Sequence, residues 1–121
     1  IITGKHLTLI GPPTSVGKLF LGPLYFYLVA PFLAIFHFEP FGSAVFIALT
    51  SVATIVLVYI FTIAVFKKKS AGLSAAFLYA ISPMAVKFGR WPWNPNIMPF
   101  FTTLFILSLW QVLERGREKW I

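Results

Sequence analysis

Lys87 and Arg90 are the clearest candidates for a binding site in this sequence, because they place two cations three residues apart at the end of an apolar run. At this spacing the two side chains share one face of a helix. Arginine offers a planar fork and lysine a point charge, and both suit a phosphate group. Tryptophans follow at 91 and 93, so the pair could bind an anionic headgroup or a ligand phosphate. An alternative stays open. In it, the apolar stems of both side chains lie along the hydrocarbon region and their charged groups extend to the membrane interface without binding a ligand.

A glycine-rich stretch at positions 11–18, Gly-Pro-Pro-Thr-Ser-Val-Gly-Lys, departs from the nucleotide-binding P-loop in three ways. Five residues separate its glycines where that motif has four, and Leu19 stands where Ser or Thr would hold magnesium. Pro12 and Pro13 also lack the backbone N–H groups that cradle phosphate. The pattern therefore argues against nucleotide binding.

Residues for acid–base and metal chemistry are scarce. The chain has no Asp and no Cys, and Glu39 is its only carboxylate before Glu114. Paired-carboxylate catalysis and thiolate or carboxylate metal sites need more groups than that. His6 and His37 have no metal-ligand spacing, and the sequence around Glu39 is typical of a turn. We therefore predict no catalytic residue and no metal ligand within the chain.

The composition is typical of an integral membrane protein. Of 121 residues, 59% are hydrophobic and 11% are charged, whereas soluble domains carry about 25% charged residues. The net charge of +7 does not indicate nucleic-acid binding, because the basic residues form short clusters between long apolar runs. That distribution is better explained by membrane topology.

The apolar runs predict an all-α fold, a polytopic transmembrane helix bundle. Three transmembrane helices are predicted, at 41–66, 71–88 and 97–113. The first of them is the longest, since 26 uncharged residues make roughly 39 Å of helix. The remaining parts of this one membrane domain are an outer loop at 1–18, a juxtamembrane or kinked helix at 19–37, an outer Trp/Pro loop at 89–96 and a cytoplasmic end at 114–121.

The basic residues predict the orientation of these helices. Positions 67–69 and 114–121 together hold six of them, whereas the end with the Trp/Pro loop holds only Lys87 and Arg90. By the positive-inside rule, the lysines at 67–69 and the C-terminal end are cytoplasmic. The Trp/Pro loop at 89–96 then faces outward.

Whether the 19–37 segment crosses the membrane stays open at this point. A crossing would give eight basic residues inside against two outside, and no crossing would give six against four. The charge count therefore favours a span. Pro23 and Pro31 argue against it, because a proline in a helix interior costs about 3 kcal/mol.

Three stretches of the sequence form an ordered set. They are Gly-Pro-Pro-Thr-Ser-Val-Gly at 11–17 with Gly-Pro-Leu-Tyr-Phe-Tyr-Leu at 22–28, Ala-Ala-Phe-Leu-Tyr-Ala-Ile-Ser-Pro at 75–83, and Phe-Gly-Arg-Trp-Pro-Trp-Asn-Pro-Asn at 88–96. In order and spacing they resemble the N-terminal part of GT-C superfamily membrane glycosyltransferases. The nearest groups are the dolichyl-phosphate-mannose protein mannosyltransferases and the aminoarabinose transferases.

The resemblance implies a polytopic enzyme that transfers a sugar from a polyprenyl-phosphate donor on the outer side of the membrane. It implies that Arg90, with Lys87 or Lys18, binds the donor phosphate. It also implies that four residues line the donor and acceptor site: Pro23, Tyr25, Trp93 and Asn94. One joint site requires all of them on one membrane face, and hence a 19–37 segment that does not span.

The acidic motif of the family's first outer loop is missing from this sequence. We therefore expect the catalytic carboxylate upstream of Ile1, in a parent protein of which this chain is a fragment. We expect no cofactor within the chain, while a divalent metal in the full-length protein stays open. The implied partners are the lipid bilayer and a polyprenyl-phosphate sugar donor, without nucleic acid, in a multi-pass protein of a prokaryotic plasma membrane.

Two other function classes are compatible with a chain of apolar helices. A piece of a transporter or lipid flippase usually carries ionisable groups inside its helices. The 41–66 and 97–113 runs hold none apart from one Tyr. A small membrane subunit of three or four helices is the second alternative, and an initiating Met next to Ile1 would favour it.

Overall fold

The computed structural model describes residue 20 and residues 22–115, and nearly all of that range is helical. The predicted loop at 1–18, with Lys18, and positions 116–121 of the predicted C-terminal end lie outside the described residues. The elements follow in chain order: α1 Leu24–Ile35, α2 Pro40–Phe66, α3 Lys69–Ile81, α4 Pro83–Phe88, a 3-10 turn Asn94–Ile97 and α5 Met98–Arg115. The chain divides into two compact units, Ile1–Phe46 and Ile47–Ile121.

Helix α1 of the first unit is too short to cross a membrane by itself. It has 12 residues, whereas a transmembrane helix needs about 20. Pro23 precedes it with a φ of −75°, a value that the proline ring presets for a helix start. Pro31 lies inside the helix, where its missing N–H removes one backbone hydrogen bond.

A tight turn after α1 reverses the chain. His37 and Phe38 have positive φ values of 51° and 65°, a region that residues other than glycine adopt only rarely. The Glu39 N–H donates to the Phe36 carbonyl at 2.9 Å, so Glu39 belongs to this turn. The reversal brings α1 against the first turns of α2.

Aromatic rings and one glycine form the contact between α1 and the start of α2. The ring centroid of Phe46 lies 5.2 Å from that of Phe32 and 6.3 Å from that of Tyr25. Gly42 allows the two helices to approach closely, since a methyl group there would lie 2.8 Å from the Phe32 carbonyl oxygen. This packing leaves Tyr25 only 8% exposed.

In the second unit, α3 packs back against α2. Lys67, with a φ of 56°, ends α2 and turns the chain. Gly72 then lies against two α2 side chains: a methyl group there would be 2.7 Å from Ile63 Cγ1 and 3.0 Å from Tyr59 Cδ2. A residue without a side chain at this crossing allows the two helices to pack closely, as is common between membrane helices.

Ser82 divides the predicted 71–88 helix into two. Its ψ of 121° is the extended conformation that a following proline favours. Helix α3 therefore ends at Ile81, and α4 begins with Pro83 in the position where a proline suits a helix best. The segment also begins two residues before the predicted start, at Lys69.

Two helical stretches of the described chain, Pro40–Phe66 and Pro95–Glu114, are long and apolar enough to cross a membrane. Only 17% and 11% of their apolar windows are buried, which is unlike the core helix of a soluble domain. Their surfaces are therefore available to lipid or to further helices. The predicted all-α fold is confirmed, whereas three transmembrane helices are not, because the 71–88 segment is broken at Ser82.

The C-terminal ends of α2 and α5 meet. Lys67 Nζ lies 2.5 Å from Glu114 Oε1, and Trp110 Nε1 donates to Glu114 Oε2 at 2.9 Å. The ion pair is largely exposed, so it adds little to stability. It does establish that both helices end on the same side of the second unit.

Candidate functional site

The two predicted phosphate-binding cations lie where α4 ends. The Gly89 N–H donates to the Ala85 carbonyl at 2.8 Å and closes the helix, and the Arg90 N–H donates to the Lys87 carbonyl at 3.4 Å. Both cationic side chains are exposed. This last turn has no acidic neighbour among the described residues, so both charges are available to an anion.

A groove with aromatic walls adjoins Lys87. Its lining consists of Lys87, Phe88, Trp91 and Trp93, and its volume is about 390 Å³. Lys87 Nζ lies 5.9 Å from the centre of the Phe88 ring, within the range of a cation–π contact. Trp91 and Trp93 are 63% and 53% exposed, as expected for rings at the headgroup level of a membrane. Such a groove combines a cationic group with apolar walls.

Asn96 fixes the shape of the loop that carries the tryptophans. Its side-chain Nδ2 donates to the Trp91 carbonyl at 2.7 Å. Its backbone N–H donates to the Trp93 carbonyl at 2.9 Å, and the Trp93 N–H donates to the Trp91 carbonyl at 2.8 Å. Pro92 and Pro95 further limit the backbone. The groove is therefore held by a hydrogen-bonded loop rather than by packing alone.

Gly89 seats this loop directly against α2. A methyl group on Gly89 would lie 2.6 Å from Ser51 Oγ, 3.0 Å from Ser51 Cβ and 2.9 Å from the Ala85 carbonyl oxygen. No side chain fits at this position without a shift of Ser51 or of the α4 backbone. Since Arg90 is the next residue, the Gly89–Ser51 contact holds the backbone at Arg90 close to α2.

A second cavity lies behind the loop, between α2, the α3–α4 break and the start of α5. Its volume is about 260 Å³. The lining includes five side chains with polar groups and no charged side chain: Ser51, Thr54, Tyr79, Ser82 and Asn96. A smaller depression, of about 180 Å³, adjoins Arg90 and shares Ser51 and Gly89 with this cavity.

Of the predicted site residues, Lys87 and Trp93 line one groove, whereas Arg90 lines the depression against α2. Their predicted roles stay predictions. Asn94 lies on the same loop as Trp93, at the start of the 3-10 turn. Lys18 lies outside the described residues, so its predicted role stays a prediction.

Pro23 and Tyr25 belong to the first unit, and their predicted roles also stay predictions. Pro23 precedes α1. Tyr25 packs its ring on Phe26 and Phe46, and burial raises the pKa of its phenol above the ordinary value.

Three residues that sequence reasoning did not select shape this region: Ser51, Gly89 and Asn96. A signal for Asn96 was present in the Asn-Pro-Asn run, which is typical of side-chain-capped turns. Gly89 lies within the 88–96 stretch that the sequence analysis selected as a motif, but its contact with Ser51 has no local signal, and neither has Ser51 itself. Within residues 20 and 22–115 no three His, Cys, Asp or Glu side chains converge on a metal position.

The family model described as dolichyl-phosphate-mannose-protein mannosyltransferase matches residues 21–121. The chain belongs to this family. The match covers α1 to α5 and the Trp/Pro loop, and it confirms the resemblance inferred from the three sequence stretches. The family and the two span-length apolar helices together indicate a membrane glycosyltransferase. Searches of curated proteins and of solved structures gave no match.

Proposed function

We propose that this mannosyltransferase-family chain forms the donor-phosphate site of an enzyme that takes a sugar from a polyprenyl-phosphate carrier. The observation that carries the proposal is the groove of Lys87, Phe88, Trp91 and Trp93, together with Arg90, which follows Phe88 by two residues and lines a depression against α2. A polyprenyl-phosphate sugar has an anionic group next to an apolar chain, and cations beside exposed aromatic walls match both parts.

The dimensions of the second unit support a membrane-interface position for this groove. Arg90 adjoins Ala48 of α2 in the small depression, and α2 ends at Phe66. The 18 residue steps between Ala48 and Phe66 correspond to about 27 Å of helix, close to the about 30 Å hydrocarbon thickness of a bilayer. A groove at one interface and the lysines at 67–69 at the other would therefore fit one membrane.

The positive-inside rule then gives the direction. The lysines at 67–69 and Arg115 lie at the end where α2 and α5 meet, and this end is proposed to be cytoplasmic. The groove and the 89–96 loop then face the outer side. Transfer of the sugar takes place there in this proposal.

The chemistry of the step assigns Arg90 an electrostatic role. When an acceptor hydroxyl attacks the anomeric carbon, the bond from that carbon to the phosphate oxygen breaks and the polyprenyl phosphate leaves with the electron pair. A guanidinium held at the departing oxygen stabilises the developing charge. Lys87, three residues earlier, supplies a second positive charge. The base that takes the acceptor proton is not assigned to a residue of this chain.

Donor specificity tests the proposal. The full gene product, purified into nanodiscs, is given mannose either on polyprenyl phosphate or on a nucleotide, together with a membrane extract as the acceptor source. We expect release of polyprenyl phosphate from the first donor and no consumption of the second. Use of the nucleotide sugar alone would contradict the proposal. Binding of the lipid donor without turnover would instead indicate a non-enzymatic lipid-handling protein.

A further inference from the structure

The cavity behind the Trp/Pro loop is built for an uncharged ligand group. None of its lining residues is charged, and its polar members are hydroxyls and one amide. An ion placed there would find no charged partner in the lining. The volume of about 260 Å³ is slightly below the about 300 Å³ of the smallest typical ligand pockets. The cavity therefore suits one part of a larger ligand.

The Ser51 hydroxyl differs from the neighbouring hydroxyls of α2. Thr50 donates to the Ile47 carbonyl and Thr54 to the Thr50 carbonyl, each within its own helix. Ser51 makes no such bond and no other hydrogen bond with any residue of the described range, and the same holds for the hydroxyl of Ser82. Two hydroxyls on facing elements are thus available, each able to donate one hydrogen bond and accept others.

Asn96 adds an acceptor to the same cavity. Its Nδ2 is occupied by the Trp91 carbonyl, which leaves its Oδ1 for a ligand. Tyr79 and Phe88 add aromatic rings to the lining. Hydroxyl and amide groups beside aromatic rings can bind a polyol, whose hydroxyls need hydrogen-bond partners and whose C–H faces pack on rings.

Ser51 and Gly89 connect this cavity with the phosphate site. Both line the cavity and also the depression that contains Arg90. Because the cavity and the depression share these two residues, one ligand can place a phosphate at Arg90 and its neighbouring neutral group in the cavity. That order of groups, anion next to polyol, is the order in a sugar phosphate ester.

We infer that this cavity is a subsite for the neutral, hydroxyl-bearing group of the lipid-linked donor, with the hydroxyls of Ser51 and Ser82 as its hydrogen-bonding partners. The inference rests on the proposed function, because it uses Arg90 as the site of the donor phosphate. It assigns sugar recognition to residues other than those that hold the phosphate.

Paired lipid probes test the subsite. Binding of polyprenyl phosphate and of polyprenyl-phosphate mannose, with equal chain lengths, is measured for the full gene product in nanodiscs. Loss of one hydrogen bond in Ser51→Ala should weaken binding of the mannose-bearing lipid by about 3- to 10-fold. Binding of the bare lipid phosphate should fall by less in this variant, and it should not change in Ser82→Val, because Ser82 does not line the depression with Arg90. Ser82→Val, which also fills part of the cavity, should have the larger effect of the two.

Ser108→Ala is the matched control, since Ser108 is exposed on α5 and its hydroxyl bonds only to the Leu104 carbonyl. It should leave both affinities unchanged. Retained binding of the bare lipid also shows that each variant is folded. Equal losses for both lipids, or no loss for either, would overturn the subsite. If the unmodified protein binds neither lipid, the proposed donor site fails, and the subsite that depends on it fails too.

Discussion

Gly89 and Ser51 contact each other so closely that a single added methyl group on Gly89 would lie 2.6 Å from Ser51 Oγ. Gly89 directly precedes Arg90, the residue proposed to hold the donor phosphate. Ser51 lines the cavity behind the Trp/Pro loop. The contact therefore couples the position of the phosphate site to the surface of α2.

Substitution of Gly89 should move the phosphate site. In Gly89→Ala the methyl group must displace Ser51 or the end of α4, and such overpacking costs about 1–3 kcal/mol. We expect several-fold weaker binding of bare polyprenyl phosphate. Ser51→Gly in the same protein removes two of the three close contacts and should restore part of the affinity. Unchanged binding in Gly89→Ala alone would show that the contact does not position Arg90.

The Asn96 side chain should control the rigidity of the Trp/Pro loop. Asn96→Ala removes the hydrogen bond to the Trp91 carbonyl, which is worth about 1 kcal/mol. We expect faster hydrogen exchange of the Trp91 and Trp93 amides and a shift in tryptophan emission. Thr103→Val, which removes a hydroxyl bonded only within α5, is the control. Equal exchange in both variants would contradict the assigned role of Asn96.

Gly72 should be sensitive to enlargement. A methyl group in Gly72→Ala would lie 2.7 Å from Ile63 Cγ1, so we expect a lower melting temperature in detergent. Ile63→Val shortens the interfering side chain and should recover part of that loss in the double variant. If the two substitutions are simply additive, α3 does not pack on α2 at this glycine.

Cysteine labelling can test the proposed orientation, since this chain contains no cysteine of its own. Trp91→Cys should react with an impermeant maleimide in intact cells. Lys68→Cys should react only after the membrane is permeabilised. The reverse pattern would place the groove on the cytoplasmic side, and equal labelling of both positions in intact cells would also contradict the proposed topology.

The long apolar runs could be predicted from sequence because length and hydropathy are local properties. Helix α2 begins at Pro40 and α5 at Met98, each one residue from the predicted position. The 71–88 segment was less predictable. Its Ser-Pro pair was visible, but a proline within a membrane helix can either bend or end it, and here Ser82 adopts an extended conformation that ends α3.

The candidate site was predictable in part. Lys87, Arg90 and Trp93 stand close together in the sequence, so a pattern could select them as one group. Ser51 could not be selected, because its importance arises from a contact with Gly89, which follows α4 and is distant in sequence. A serine in an apolar run is usually bonded to its own helix, and only the structure separates Ser51 from neighbours such as Thr50 and Thr54.

The most direct test of the account is the rate of sugar transfer by Arg90→Ala in the full gene product, with polyprenyl-phosphate mannose as the donor. Loss of a charge that stabilises the leaving phosphate should lower kcat by at least about 100-fold, and Arg90→Lys should retain intermediate activity. Lys68→Ala, which removes a cation at the opposite end of the second unit, should transfer normally. Near-normal transfer by Arg90→Ala would contradict the proposed phosphate site.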